Sequence, residues 1–134
     1  MSTNSSHKSP KDAQCRVLGH VWIEGPDGAL LGIGRVQLLE QIRVHGSISA
    51  AAREMAMSYR HAWELIDSMN RQLGIPLVVK AAGGRGGGGT RLTPAGEQAV
   101  EAFHELDRAF REFISQRTEA LCLDSNTGSG SCQD

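Results

Sequence analysis

The hydrophobic positions of this chain change rhythm several times, and each change marks an element. Residues 17–24, VLGHVWIE, are rich in β-formers. The turn signal GPDG at 25–28 and a short apolar run at 29–33 follow, so the segment reads as a small hairpin. From Arg35 to His45 the spacing becomes helical. Val36, Leu39 and Ile42, with Leu38, share a face, and Gly46 stops the helix. Ser47 and Ser49 are N-cap candidates for a short Ala-rich helix over 50–56. Ser58 caps a longer helix from Tyr59 to about Leu73, with Ala62, Leu65, Ile66, Met69 and Leu73 as its apolar face. Gly74 ends that helix, and Pro76 bars its continuation. LVVK at 77–80 reads as a strand, with 90–92 as its return across a Gly-rich loop. Thr93 then caps a last helix whose first position holds Pro94, where a missing N–H costs nothing. It runs to about Glu119, with Val100, Phe103, Leu106, Phe110, Phe113 and Ile114 in one stripe.

The ends have a different character. Residues 1–14 and 122–134 are polar and rich in Ser or Gly, and read as a disordered arm and tail. Residues 15–121 between them form one domain of ordinary size. At 134 residues the chain is too short for a Rossmann dehydrogenase, a barrel enzyme or a kinase. Only 4% of residues are aromatic, so aliphatic side chains must fill most of the core. No apolar run approaches the roughly 18 residues of a membrane span. The N-terminus lacks the apolar region of a secretory signal. Cys15, Cys122 and Cys132 are odd in number and form no CxxC, which argues against a disulfide framework or a zinc site. The expectation is a soluble cytoplasmic protein with no cofactor and no metal.

The net charge of −1 hides a split. Residues 35–91 carry eight Lys or Arg against four acids, a net of +4. Residues 92–134 carry three Arg against eight acids, a net of −5. A basic centre suits a polyanion, although scattered solvated charge would give the same count.

The order helix, short helix, tight turn, longer helix and two-stranded hairpin is that of a winged helix-turn-helix. The fold class is therefore α+β, mainly α, with a long C-terminal dimerisation helix. ISAAAREMAMSYRHAWELID fits the helix-turn-helix window, with small Ala52 where two helices cross and Ala56 in the turn where Gly is more usual. A generic αα-hairpin in a bundle is the alternative. The small residues at the crossing, the paired caps and the hairpin that follows favour the DNA-binding motif. In that motif the second helix leads into the major groove with Ser58, Tyr59, Arg60, His61, Trp63 and Glu64. Arg60 is the best reader of a base or phosphate, since its planar fork matches guanine O6 and N7. Ser58 and Tyr59 can bond phosphates or base edges. Trp63 either packs beneath the first helix or contacts DNA. His61 is a solvated histidine rather than a metal ligand, since no partner ligand stands at helical spacing.

The loop GGRGGGG at 83–89 formally satisfies GxGxxG. A dinucleotide fingerprint belongs between a strand and a helix of a βαβ unit, and here a second β-like run intervenes. A wing tip fits better. Its glycines let backbone N–H groups and Arg85 approach a phosphate, with Lys80 and Arg91 on the hairpin arms.

The runs SYRHAW, GGRGGGG and LTPAGE, within 17–115, resemble the N-terminal DNA-binding domain of ModE-type molybdate-responsive transcriptional regulators. GSISAAAREM and LTPAGE are more distantly similar to the DNA-binding heads of LysR-type regulators. The resemblance implies a winged helix-turn-helix that binds double-stranded DNA and dimerises through its long last helix. Such regulators carry C-terminal molybdate-binding domains. The residues after Ile114 are too few for one, so molybdate is not expected to bind this chain.

The stripe Phe103, Leu106, Phe110, Phe113 and Ile114 is the expected homodimer seam, since the last helix is longer than a small core needs. A stripe folded back on its own domain is the other possibility. The function expected is that of a sequence-specific, dimeric DNA-binding transcriptional regulator. A winged-helix protein–protein interaction module is the alternative. No paired carboxylates, nucleophile–base spacing or metal cluster points to an enzyme.

Overall fold

Local signals set the helix boundaries. The computed structural model describes residues 15–81 and 89–121. In chain order they form β1 (Ile23–Gly25), β2 (Gly28–Leu31), α1 (Ile33–His45), α2 (Ile48–Glu54), α3 (Tyr59–Leu73), β3 (Val78–Lys80), β4 (Thr90–Leu92) and α4 (Pro94–Glu119). The two antiparallel hairpins, β1–β2 and β3–β4, are separate sheets. This is a mainly helical α+β winged helix-turn-helix.

Side chains cap the starts of α2, α3 and α4, while α1 begins at Gly32 without a side-chain cap. Ser47 Oγ accepts from Ala50 N, Ser58 Oγ from His61 N and Thr93 Oγ1 from Gly96 N. Each side chain satisfies one of the orphan donors of a first turn. Gly46 and Gly74 close α1 and α3 in the left-handed conformation, at φ 67° and 72°. The end of α2 is unusual. Ala56 N donates to Arg53 O and Met57 N to Ala52 O, the paired bonds of a Schellman motif. The left-handed position of that motif holds Ala56, at φ 55°, where glycine would carry no Cβ penalty.

Residues 21–107 make one contact unit and hold every buried hydrophobic side chain among the described residues. The core joins Val36, Leu38, Leu39 and Ile42 of α1, Ala51 and Ala52 of α2, and Ala62, Ile66 and Met69 of α3. Leu30 and Leu31 of β2, Ile48 of α2, Leu77, Val78 and Leu92 at the second hairpin, and Val100 and Phe103 of α4 complete it. Ala52 is 2% exposed, as a tight helix crossing requires. α4 begins against the wing: Thr93 N donates to Leu77 O, and a Cβ at Gly96 would strike that same carbonyl. Arg43 Nη1 lies 2.6 Å from Glu97 Oε1, and His104 Nε2 lies 2.6 Å from Glu40 Oε2, so two polar pairs tie α1 to α4.

Two expectations need correction within this unit. Phe103 is fully buried in its own core, so it is spent on folding and leaves no face for a second copy. Leu73 is 39% exposed rather than inward, because it is the last helical residue before the Gly74 turn.

The terminal unit comprises, among described residues, 15–20 and 108–121. Residues 17–22 do not extend the first hairpin, whose strand begins only at Ile23. Val17 N instead donates to Thr118 Oγ1, 2.8 Å away, and that hydroxyl donates to Ile114 O. Gly19 lies against the Phe110 ring closely enough that an added Cβ would sit 3.2 Å from Cζ. The stripe therefore has partial cover from residues 17–19 of its own chain. Phe113 remains 56% exposed and Leu18 72%.

Candidate nucleic-acid interface

The wing hairpin is fixed to the corner between α1 and α2. Thr90 N donates to Gly46 O at 2.9 Å, and a Cβ at Gly89 would come within 2.6 Å of the same oxygen. Only glycine lets the wing approach that closely. The strand register sets Val78 opposite Leu92, Val79 opposite Arg91 and Lys80 opposite Thr90. Val78 and Leu92 enter the core, while Lys80 and Arg91 remain exposed. Docking the wing here opens a hollow of about 400 Å³ lined by Ser47, Tyr59, Lys80 and Thr90, among others. Ser47 and Thr90 are members of this site that the sequence reading did not assign to it. Ser47 was legible only as a cap, and Thr90 only as a strand residue.

The first turns of α3 present the other side chains. Ser58, Tyr59, Arg60, His61 and Glu64 are all exposed. Arg60 Nε lies 3.3 Å from Glu64 Oε2, and His61 Nδ1 lies 3.8 Å from Glu64 Oε1. The Arg60 side chain is 86% exposed, so this pairing holds it weakly. The order is also the less favourable one for an i,i+4 pair, with the cation N-terminal to the acid. The guanidinium can leave Glu64 for a stronger acceptor at little cost.

Trp63 is half-buried and packs against the core. Its indole Nε1 donates to Tyr59 Oη at 2.8 Å. The ring thus has a packing role, with its polar edge turned to a neighbour. Arg35 of α1 donates to Ser68 Oγ of α3, and burial pushes its guanidinium below the ordinary value. Arg85 lies outside the described residues. Among the described residues no three His, Cys, Asp or Glu side chains gather to hold a metal, and no helix is long and apolar enough to cross a membrane.

Residues 33–97 match the bacterial regulatory helix-turn-helix protein model of the lysR family. The molybdenum-pterin-binding protein MopB of Rhodobacter capsulatus is 44% identical over 97 residues, 72% of this chain and 36% of the relative. These residues form a LysR-family helix-turn-helix head of the ModE type. The DNA-binding transcriptional dual regulator ModE of Escherichia coli K12 is 41% identical to the ModE-type head over 72 residues, 54% of this chain and 28% of the relative. The chain thus spans about a third of the length of the curated relatives it matches. The fold of the head agrees with the crystal structure of the CbnR DNA-binding domain–DNA complex. It covers 68% of this chain and all of that one, at a TM-score of 0.52 and 22% identity.

Proposed function

We propose that the head binds duplex DNA as part of a cytoplasmic transcriptional regulator, with α3 in the major groove and the wing on the phosphate backbone. One observation carries this reading. Tyr59, in the first turn of α3, and Lys80, on one arm of the wing, line the same hollow, beside the Thr90–Gly46 bond that fixes the wing. The net charge of +4 over 35–91 supports it. In this reading Arg60 reads a base edge, and Glu64 and His61 flank it. Ser58 and Tyr59 meet phosphate or base edges, and Lys80, Arg85 and Arg91 meet phosphates. Trp63 acts from behind the interface. DNA is the partner assigned to the head; no molybdate site is assigned to it, and no chemical step.

The head further works as a homodimer through the part of the α4 stripe not spent on the core: Leu106, Phe110, Phe113 and Ile114. Leu106 and Phe113 are exposed, at 37% and 56%. A two-fold dimer suits a palindromic site with half-sites about 34 Å apart, or a multiple of that.

Measuring affinity for a duplex across salt concentrations tests the DNA reading. Log K should fall against log salt with a slope of several, roughly 0.9 for each phosphate contact. Affinity that stays flat from low to physiological salt overturns it.

A further inference from the structure

We propose that Trp63 is a positioning residue that fixes Tyr59 as a hydroxyl donor to a DNA backbone phosphate. The inference rests on the DNA-binding reading and adds a role for a side chain that does not itself touch the ligand. An indole N–H only donates. Its bond to Tyr59 Oη therefore makes the phenol the acceptor, and occupies one lone pair of that oxygen. The remaining phenolic proton is left to donate elsewhere.

The surroundings say to what. Tyr59 is 50% exposed and lines the hollow beside Lys80 and Ser47. The Lys80 ammonium is a donor without acceptor capacity. Ser47 Oγ already accepts from Ala50 N, which turns its own hydroxyl proton away from that helix end. Three donors around one hollow favour a group that only accepts. A phosphodiester oxygen of the DNA backbone is such a group, and it carries the negative charge that Lys80 complements. Trp63 is anchored by packing against the core, so the orientation of the phenol is set before DNA arrives. Prepaying that order is what makes a single hydroxyl worth having at an interface.

The test is a double-mutant cycle on the full chain, using a duplex it binds and a scrambled duplex. Tyr59→Phe removes the hydroxyl and should weaken both complexes about tenfold. Trp63→Phe keeps an aromatic ring but removes the N–H. It should weaken both about threefold in the presence of Tyr59, and have no further effect once Tyr59 is Phe. Neither should change the salt slope, whereas Lys80→Ala should reduce it by about 0.9. In the free protein, the Trp63 indole N–H resonance should move on Tyr59→Phe. Equal losses from Trp63→Phe on both backgrounds, or an indole resonance that stays in place, overturn the positioning role while DNA binding stands. A wild-type chain that binds no duplex removes the DNA reading itself, and the phosphate role with it.

Discussion

The head unit and the terminal unit share one helix and treat its apolar stripe in opposite ways. Within residues 21–107, Val100 and Phe103 sink to 2% and 0% exposure against α1 and the other core elements. Beyond Asp107 the same spacing continues through Phe110, Phe113 and Ile114, but among the described residues there no hydrophobic side chain becomes buried. Among the described residues, Gly19 lies against Phe110 and Val17 N donates to Thr118 Oγ1. A helical period reports that a face is apolar. It does not report what covers the face, or at which turn the cover ends. The first half of α4 is a folding element, and the second keeps Phe113 exposed, the face proposed above as the seam between two copies.

The contrast breaks most sharply in paired truncations. Phe103→Ala removes a fully buried ring and should cost about 3–5 kcal/mol, a large share of a small domain's stability, seen as a steep fall in melting temperature. Phe113→Ala should leave the thermal stability of a dilute, monomeric sample nearly unchanged. Together, Phe110→Glu and Phe113→Glu should yield a folded monomer whose DNA binding is weakened. Each Phe buried between copies is worth about 1.5–3 kcal/mol. Sedimentation alongside thermal melts separates the outcomes. If the unmutated chain is already monomeric at micromolar concentration and tight on one half-site, the dimer fails and the core assignment survives.

The head was the more legible of the two units, for physical reasons. Its boundaries are written in local chemistry: Ser47, Ser58 and Thr93 at the starts, Gly46 and Gly74 at the stops, with small Ala52 at the crossing. These act over three or four residues, so a linear reading recovers them. Residues 17–22 lie outside the hairpin expected for them, and the bond that holds Val17 goes to Thr118, 101 positions away. Phe103 was misassigned because periodicity cannot separate two consecutive stretches of one stripe. At the interface the residue types of α3 were legible, and so was the i,i+4 spacing of Tyr59 and Trp63. The wing's attachment to Gly46 was not. It is a backbone bond across 44 residues, made possible by the lack of a side chain at Gly89.

A finer division is expected inside the head's interface. Arg60→Ala should cost about 1–3 kcal/mol on the preferred site and relax one position of the sequence preference. Arg91→Ala on the wing should weaken preferred and scrambled duplexes alike, because phosphates carry no sequence. Comparing the two variants by binding titrations on both duplexes checks this. Sequence-blind losses of equal size for both would reduce Arg60 to a phosphate contact.

The smallest expected effect is a gain. Ala56 occupies the left-handed position of the α2 Schellman motif at φ 55°, where its Cβ crowds the following carbonyl. Glycine removes that clash but enters the unfolded state with more freedom, which offsets part of the benefit. The net for Ala56→Gly should be a stabilisation of about 0.5–1 kcal/mol, seen as a rise of a few degrees in melting temperature. Because Ala56 is exposed and its two motif bonds run through the backbone, the Met57 N–Ala52 O bond and the placement of Ser58 should persist. DNA affinity and oligomeric state should therefore stay as they are. A drop in affinity with the melting temperature raised would show that the alanine's strained turn sets the angle at which α3 meets DNA. A melting temperature that falls would show that the left-handed alanine costs less than the flexibility glycine adds.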